Sequence, residues 1–342
     1  MDWSDPEPEQ VAADLFRIPL PLPNDGLRAV NAYALCGGDG AVLIDGGWAF
    51  AGGFAHLESG LAKVGLRPSD VRQVLVTHAH RDHYTQAVEL RERYGALVAL
   101  GDGERDSLLA VMDAVKEGKV TRRFEVLYPA GAEHLVAELD SRPGSFGEAG
   151  WELPDEWVPD RARYAAGTAS LEAIATPGHT GGHVVYRDAA RGLLFAGDHV
   201  LPSITPSIGF EAAPARWPLR DYLDSLRLML TLPDTRLLPA HGPVTDSVHL
   251  RVRELLDHHD ARLQATLRAV SDGAHTGLAV AGQLFWTRRN HPLDALNLYN
   301  QCLAVSETMA HLDVLVLRGQ LACAPREDGV RWYDLSAEKE PA

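Results

Sequence analysis

Apolar residues occur first in alternation with polar residues and then in short continuous runs. Segments around residues 15–20 and 29–35 alternate in this way on either side of the turn-rich PLPNDG, which predicts two strands of a β-meander. The run AVLIDGG is typical of a buried strand ending at Asp45, and a helical pattern follows over residues 52–64. Strand, helix and strand alternate again through VRQVLVTHAH and ALVAL, which indicates an α/β scaffold.

Residues 101–165 are less regular and are predicted to be an insertion that lines or covers the site. The later part of this stretch is rich in Pro, Gly and Trp. Its aromatic residues are candidates for the wall of a pocket for an acyl group, and packing within an exposed loop is the alternative. They are Phe146, Trp151, Trp157 and Tyr164.

The pattern changes near residue 249, where three helical segments are followed by LACAPREDGVRWYDL, a predicted β-hairpin. Three helices and a hairpin indicate a winged helix. At 342 residues the chain is long for one compact domain. We therefore predict a polar tail over residues 1–10, a larger domain over 11–245 and a small helical, winged-helix-like domain over 246–342.

Composition and charge narrow the classes of function. No apolar run approaches the roughly 18 residues that span a bilayer, and MDWSDPEPEQ lacks the basic and apolar parts of a secretory signal, so a cytoplasmic protein without a membrane contact is predicted. The three cysteines are far apart and are expected to be unpaired. A net charge of −15 disfavours long polyanionic partners, because nonspecific binding to nucleic acid depends on clustered Lys and Arg.

Four ligand-type side chains fall within six residues after a predicted strand: His78, His80, Asp82 and His83. Imidazole and carboxylate groups suit zinc and related divalent metals, and a turn lets alternate residues face one centre while the next pair faces another. A solvated histidine-rich turn is the alternative, since an HxHxDH run is rare but not unique.

Three further candidates follow at the ends of later predicted strands: His179 in TPGHTGGH, Asp198 in FAGDH and His241 in PAHGP. With the Asp-ended strand and the HxHxDH run, they occur in the order typical of the metallo-β-lactamase superfamily, which the chain resembles over residues 11–245. The resemblance implies an αββα metallo-β-lactamase sandwich for this catalytic domain.

The same resemblance implies two divalent metal ions. The first would be held by His78, His80 and His179, the second by Asp82, His83 and His241, and Asp198 would bridge them. Asp45 would orient a ligand histidine through its other ring nitrogen, with a simple turn Asp as the alternative. Zinc is favoured by ligand type, while iron or manganese would also fit.

A pair of metals about 3.5–4 Å apart can share a water, lower its pKa and leave a hydroxide that attacks the substrate. Asp82 would additionally orient this water. Tyr84 departs from the small residue that often follows the motif in this superfamily, so its phenol is a candidate to line the pocket or donate to a substrate oxygen, and sideways packing is the alternative. His183 is expected to support the turn, and His199 to point away from the neighbouring Asp198.

The C-terminal pattern resembles the winged-helix module of β-lactamase-like protein 2 and its relatives, most clearly in AHLDVLVLRG. Residues 250–342 hold ten Lys and Arg against twelve Asp and Glu, so DNA binding is not expected. The helix ALNLYNQCLAVSETMAHLDVLVLRG is mostly apolar and is predicted to pack against the catalytic domain or against a second subunit in a homodimer.

The leading hypothesis is hydrolysis of an ester-like bond in a small molecule, such as a thioester, a lactone or a related acyl compound. An endoribonuclease or phosphodiesterase of the β-lactamase-like protein 2 kind is the first alternative, and the net charge opposes RNA as a partner. A noncatalytic binding protein on the same scaffold is the second alternative, and the complete ligand set opposes it.

Overall fold

The computed structural model describes residues 2–23, 26–117, 120–141, 150–287 and 289–336, with the backbone alone at 120–123. Two β-sheets lie face to face. The first has seven strands in chain order: β1 (Glu9–Ala12), β2 (Leu15–Pro21), β3 (Ala29–Gly37), β4 (Gly40–Ile44), β5 (Val71–Val76), β6 (Leu97–Gly101) and β7 (Glu156–Val158). The second contains β8 (Arg163–Ala166), β9 (Ala169–Ala175), β10 (Val184–Asp188), β11 (Leu193–Gly197) and β12 (Arg236–Pro239), in the order β12-β11-β10-β9-β8.

Strand residues alternate between two buried surfaces, which explains why β3 is apolar almost throughout. Tyr33 and Leu35 point into the core between the sheets, whereas Val30, Ala32 and Ala34 pack against the helices outside. This period of two follows from the pleat, because successive side chains of a strand point to opposite faces. A sheet buried on both faces needs helices on its outer side.

Helices cover both outer faces. The first sheet is covered by α1 (Gly53–Lys63), α2 (Arg81–Tyr94) and α3 (Arg105–Glu117), which share its outer core. The second sheet packs against the core that contains α4 (Glu133–Asp140), α5 (Pro218–Thr231), α6 (Val248–Ser271), α7 (Gly277–Gln283) and α8 (Leu298–Leu317). The result is the predicted αββα sandwich with additional C-terminal helices.

The C-terminal region has the predicted three helices and a hairpin, β13 (Leu321–Pro325) with β14 (Arg331–Leu335). Its helix α8 is buried along most of its length and belongs to the same apolar core as Val185 of β10 and Leu194 of β11. The described part of this region therefore has no core separate from that of the second sheet. The domain boundary at residue 245 remains a prediction.

The predicted insertion is only partly outside the sheets. Strand β7 extends the first sheet beside β6, and β8 pairs with β9 in the second. The Cζ atom of Arg105 lies 4.5 Å from the centre of the Trp157 ring, so the guanidinium stacks on this ring. The Tyr164 hydroxyl donates to the Glu156 carboxylate at 2.7 Å. The predicted pocket wall is therefore wrong for these two aromatics, because strand pairing fixes them elsewhere.

The predicted N-terminal tail also differs in detail. Strand β1 begins at Glu9, inside the predicted polar tail, and the tail is tied down by an ion pair between Asp2 and Arg28 at 2.8 Å. Phe146 lies outside the described residues.

None of the helices in the described ranges combines the length and the apolar character needed to cross a membrane.

Because the C-terminal helices share a core with the second sheet, we predict that the whole chain unfolds cooperatively. Leu312 of α8 is fully buried, so Leu312→Ala should lower the free energy of unfolding of the whole chain by about 2–5 kcal/mol. Calorimetry should show one transition moving as a unit. The matched control is Leu317→Ala on the same helix, where the side chain is 45% exposed. Two transitions, of which only one responds to Leu312→Ala, would contradict the shared core.

Candidate metal centre

The seven candidate ligands and Asp45 lie at one edge of the sandwich, where five strands end. Strands β4 and β5 are parallel, β11 and β12 are parallel, and β9 runs in the direction of β11 because β10 is antiparallel to both. The candidates follow the ends of these strands: Asp45 after β4, the HxHxDH run after β5, His179 after β9, Asp198 after β11 and His241 after β12. Rigid strands thus deliver the side chains, and the turns after them aim these side chains inward.

The first group contains His78, His80, His179 and Asp198. The Nε2 atom of His78 lies 2.9 Å from Nδ1 of His80, and Nε2 of His179 lies 3.1 Å from the same Nδ1 and 3.3 Å from His78 Nε2. The Asp198 Oδ2 atom is 3.5 Å from His179 Nε2. Three ring nitrogens and a carboxylate oxygen therefore face one small volume.

The second group contains Asp82, His83 and His241. The Asp82 Oδ2 atom lies 3.4 Å from His241 Nε2 and 3.6 Å from His83 Nε2. The other oxygen of Asp198, Oδ1, lies 3.3 Å from His241 Nε2 and 3.7 Å from His83 Nε2. Asp198 therefore presents one carboxylate oxygen to each group.

The outer ring nitrogens are held by oxygen atoms that fix which nitrogen faces inward. Nδ1 of His179 donates to Ser207 O at 2.8 Å, and Nδ1 of His241 donates to Ala29 O at 2.8 Å, because a carbonyl oxygen can only accept. His83 Nδ1 lies 2.9 Å from Oδ2 of Asp45. The Nε2 atoms of these three rings consequently face into the site.

Asp45 orients two candidate ligands, one directly and one through a neighbour. Besides the contact with His83, its carboxylate accepts from the Thr77 amide at 2.8 Å and the Thr77 hydroxyl at 3.1 Å. That hydroxyl lies 3.0 Å from His78 Nδ1 and is free to accept from it. Asp45 has a φ of 62°, a left-handed conformation that Asp tolerates better than most residues.

The pKa values of the histidines shift in opposite directions in the two groups, as His78 and His83 show. Burial, and next the nearby ring of His83, lower the pKa of His78 well below its ordinary value. Burial alone would also lower the pKa of His83, but the carboxylates of Asp82, Asp45 and Asp198 outweigh it and raise the pKa to about 10. Burial would raise the pKa of Asp82, yet the facing histidines lower it below its usual range. The three carboxylates around His83 therefore favour positive charge in this part of the site.

The donor set fits divalent metal ions. Three buried atoms that face the site, His83 Nε2, His241 Nε2 and Asp198 Oδ1, have no hydrogen-bond partner. Buried polar atoms are nearly always paired, so atoms left in this way call for another occupant. A tetrahedral zinc with bonds of about 2.0–2.1 Å separates its ligand nitrogens by roughly 3.3 Å, close to the spacing in the first group. Imidazole and carboxylate are the matching ligand types.

A pocket of about 730 Å³ opens on both groups. Apolar and polar side chains both contribute to its wall, and Arg81 is the only Lys or Arg among the described lining residues. The wall comes from four parts of the chain: the turn after β2 (Leu27), α4 (Leu139), the segment after Asp198 (Leu201, Ile204, Thr205, Pro206, Ser207, Phe210) and the start of α8 (Asn297, Leu298, Tyr299, Asn300, Leu303). Arg251 of α6 donates to the carbonyls of Leu201 and Ile204 at 2.6 and 2.9 Å, which fastens the wall segment to the C-terminal helices.

Tyr84 is not part of this wall. Its ring is fully buried against α2 and the first sheet, and its hydroxyl donates to Glu152 O at 2.6 Å. The predicted role of Tyr84 in the pocket is therefore corrected to a packing role, because its position on α2 directs the ring away from the cavity. Thr205 and Ser207 contribute hydroxyl groups to the pocket lining.

Two other histidines have supporting positions. His183 Nε2 accepts from the Asp198 amide at 3.2 Å, and its Nδ1 lies 2.9 Å from the Thr176 hydroxyl. His199 is fully buried with its ring 5.4 Å from that of Tyr222. Neither belongs to the two groups of candidate ligands among the described residues.

Asn31 is a supporting residue that sequence reasoning missed. Its side-chain amide donates to Pro239 O and Gly242 O, both at 2.9 Å, and thereby holds the turn that bears His241 against the first sheet. The available signal was a polar residue in the apolar strand AVNAYAL. A buried side-chain amide without partners is destabilising, so an Asn in a core strand indicates that specific hydrogen bonds hold it there.

The position of Asp45 leads to a prediction. Asp45→Asn should weaken metal binding by roughly 10- to 100-fold, because an amide cannot accept from Thr77 and His83 as a carboxylate does. Competition with a chelating indicator measures the affinity. Asp39→Asn, at an exposed turn, makes the same change of charge and should leave the affinity unchanged. Equal metal affinities of the Asp45→Asn and Asp39→Asn variants would contradict a role for Asp45 in the metal centre.

Comparisons with known proteins agree with this geometry. The family model described as the metallo-beta-lactamase superfamily matches residues 25–241, more than half of the chain. The chain is similar to the probable metallo-hydrolase YqjP of Bacillus subtilis, with 28% identity over 314 residues that cover 88% of this chain and 91% of that protein. It is also 33% identical over 130 residues to a beta-lactamase-like protein 2 homolog of Caenorhabditis elegans, covering 38% of this chain and 41% of that one.

Among solved structures, a metallo-beta-lactamase family protein of Thermus thermophilus superposes with a TM-score of 0.77 at 26% identity, covering 95% of this chain and 100% of that one. A beta-lactamase domain protein of Burkholderia ambifaria gives a TM-score of 0.78 at 26% identity, with 96% and 94% covered. Fold, order of motifs and family match agree: the chain belongs to the metallo-β-lactamase superfamily.

Proposed function

We propose that this protein binds two divalent metal ions, zinc by ligand type, and hydrolyses an ester-like bond in a small acyl compound such as a thioester or a lactone. The observation that carries the proposal is the pocket, whose wall places apolar side chains, among them Leu201, Ile204 and Phe210, beside the two ligand groups. Its volume of about 730 Å³ lies in the range typical of small-molecule sites.

Some residues would hold the metal ions, and Asp82 would in addition orient the attacking water. His78, His80 and His179 would hold one ion, and the second group would hold the other, with Asp198 between them. When bound, such ions lower the pKa of water and polarise a carbonyl oxygen. Asp82 lines the pocket and is ionised at neutral pH, so its carboxylate is suited to orient an attacking water by accepting a hydrogen bond.

Arg81 and the apolar wall would orient the substrate. The Arg81 guanidinium lies 4.1 Å from the ring centre of Trp48, and this stacking holds the cation beside the two groups. Phe210 and Tyr299 meet in the pocket wall with ring centres 5.7 Å apart. A substrate with a polar reacting end and an apolar acyl part matches this division.

A nuclease function finds less support. A nucleic acid would need several cations along its path, and one arginine lines the described pocket. Helix α8, the counterpart of a recognition helix in a winged-helix protein, is mostly buried in the shared core. We therefore propose that the C-terminal helices form part of the pocket and bind neither DNA nor RNA.

The metal content tests the first half of the proposal. Elemental analysis after reconstitution should give close to two divalent ions per chain, and His179→Ala should remove one of them together with the activity. His199→Ala, a buried histidine outside both groups, serves as the control and should retain both ions. Full activity with one ion or fewer would refute the two-metal mechanism.

The second half is tested with a series of acyl thioesters and lactones of increasing chain length, beside β-lactams, phosphodiesters and short RNA. For the preferred class, kcat/KM should rise by up to roughly fourfold for each methylene that the wall buries, since one buried methylene contributes about 0.8 kcal/mol. Leu303→Ser in the wall should flatten this dependence, and Leu317→Ser on the exposed part of the same helix should not. Metal-dependent cleavage of RNA without turnover of any acyl compound would favour the nuclease.

A further inference from the structure

Two buried glutamates lie behind the first ligand group and belong to neither group. Glu104 is 1% exposed and Glu211 is 5% exposed, and neither lines the pocket. Burial raises the pKa of Glu104 to about 7, and burial together with the charge of Glu104 raises that of Glu211 to about 8. Burying two carboxylates is costly unless they satisfy specific donors, so the donors they accept from are informative.

Glu104 joins the two turns that bear the first ligand group. Its Oε2 atom accepts from the amide of Ala79 at 3.2 Å, and Ala79 stands between His78 and His80. Its Oε1 atom accepts from the hydroxyl of Thr180, the residue directly after His179. One carboxylate thus receives a hydrogen bond from each of the two turns.

Glu211 holds the second of these turns from the other side. Its Oε1 atom accepts from the Gly181 amide at 3.0 Å and from the Ser107 hydroxyl at 2.9 Å. The same stretch of chain accepts from His179 through Ser207 O. The turn that bears His179 is therefore fixed to α3 and to the pocket wall.

The backbone of the turn after His179 touches the segment that bears Glu104, which leaves little freedom for adjustment between these two. A Cβ atom on Gly182 would lie 2.0 Å from the Glu104 amide nitrogen, and one on Gly101 would lie 2.2 Å from Gly182 O. Only glycine permits such an approach. The backbone of Glu104 is thus fixed against the turn after His179, and its side chain extends this attachment to the turn that bears His78 and His80.

We propose that Glu104 and Glu211 are positioning residues that lock the turn bearing His78 and His80 to the turn bearing His179, and so set the spacing of the first metal group. This inference rests on the proposed binding of metal. The second group is held by different partners, Asp45 for His83 and Ala29 O for His241. The effect of the two glutamates is therefore specific to the first group.

The test measures metal affinity in single-site backgrounds, by competition between the protein and a chelating indicator for Zn²⁺. His241→Ala leaves the first group intact, and His179→Ala leaves the second group intact. Adding Glu104→Gln removes one of the two acceptors, because a glutamine side chain has a single carbonyl oxygen. We expect a loss of affinity of roughly 10- to 100-fold in the His241→Ala background and less than about threefold in the His179→Ala background.

Three comparisons complete the experiment. Glu58→Gln on the exposed face of α1 is the matched control and should change neither affinity. Thr180→Val removes only the hydroxyl that Glu104 accepts, keeps the shape of the side chain, and should weaken the first group alone even if Glu104→Gln does not fold. With excess Zn²⁺, Glu104→Gln in the otherwise unaltered chain should recover activity, and its thermal midpoint in the presence of a chelator should match that of the equally chelated unaltered chain to within a few degrees, which a general loss of stability would not allow.

Equal weakening of both groups, or no weakening of the first group by either variant, would overturn the positioning role. Because affinity is measured without a substrate, that result leaves the proposed hydrolysis standing. Conversely, tight metal binding with the expected selectivity and no turnover of any acyl compound would reject the proposed substrate class and retain the positioning residues.

Discussion

Five imidazole rings and three carboxylates share one buried edge of the sandwich, and the rest of the structure depends on how their charges and lone pairs are balanced. Inward-facing lone pairs repel one another, and an isolated buried carboxylate costs several kcal/mol. Cations resolve both problems at once. The five parallel strand ends, the turns after them and the oxygens behind each ring are the parts that make such a cluster possible.

The supporting atoms are mostly backbone carbonyls and side chains of other strands. Ser207 O, Ala29 O and Asp45 each fix one ring, and Asn31 ties the turn of one sheet to a strand of the other. The site is consequently coupled to the packing of the two sheets. A substitution that shifts one sheet against the other changes the distance between ligands as well as the stability.

Sequence patterns predicted the parts of the molecule whose causes are local. The HxHxDH run and the strand-ending His179, Asp198 and His241 could be recognised because residue type and spacing carry the chemistry, and the sandwich followed from them. The wall of the pocket could not be predicted. Phe210 and Tyr299 are far apart in the sequence and meet only when α8 packs on the second sheet, while Trp157 is drawn into a strand by long-range pairing with β6.

The attachment of the wall to α6 through Arg251 separates two tasks within one chain. The candidate ligands stand on the strand ends of the sandwich, whereas much of the pocket wall belongs to the C-terminal helices and the segment bound to them. Residues at the start of α8 can therefore vary without disturbing a single ligand. Duplicated copies of such a gene can acquire new substrates through a few changes in this helix while inheriting the reaction intact.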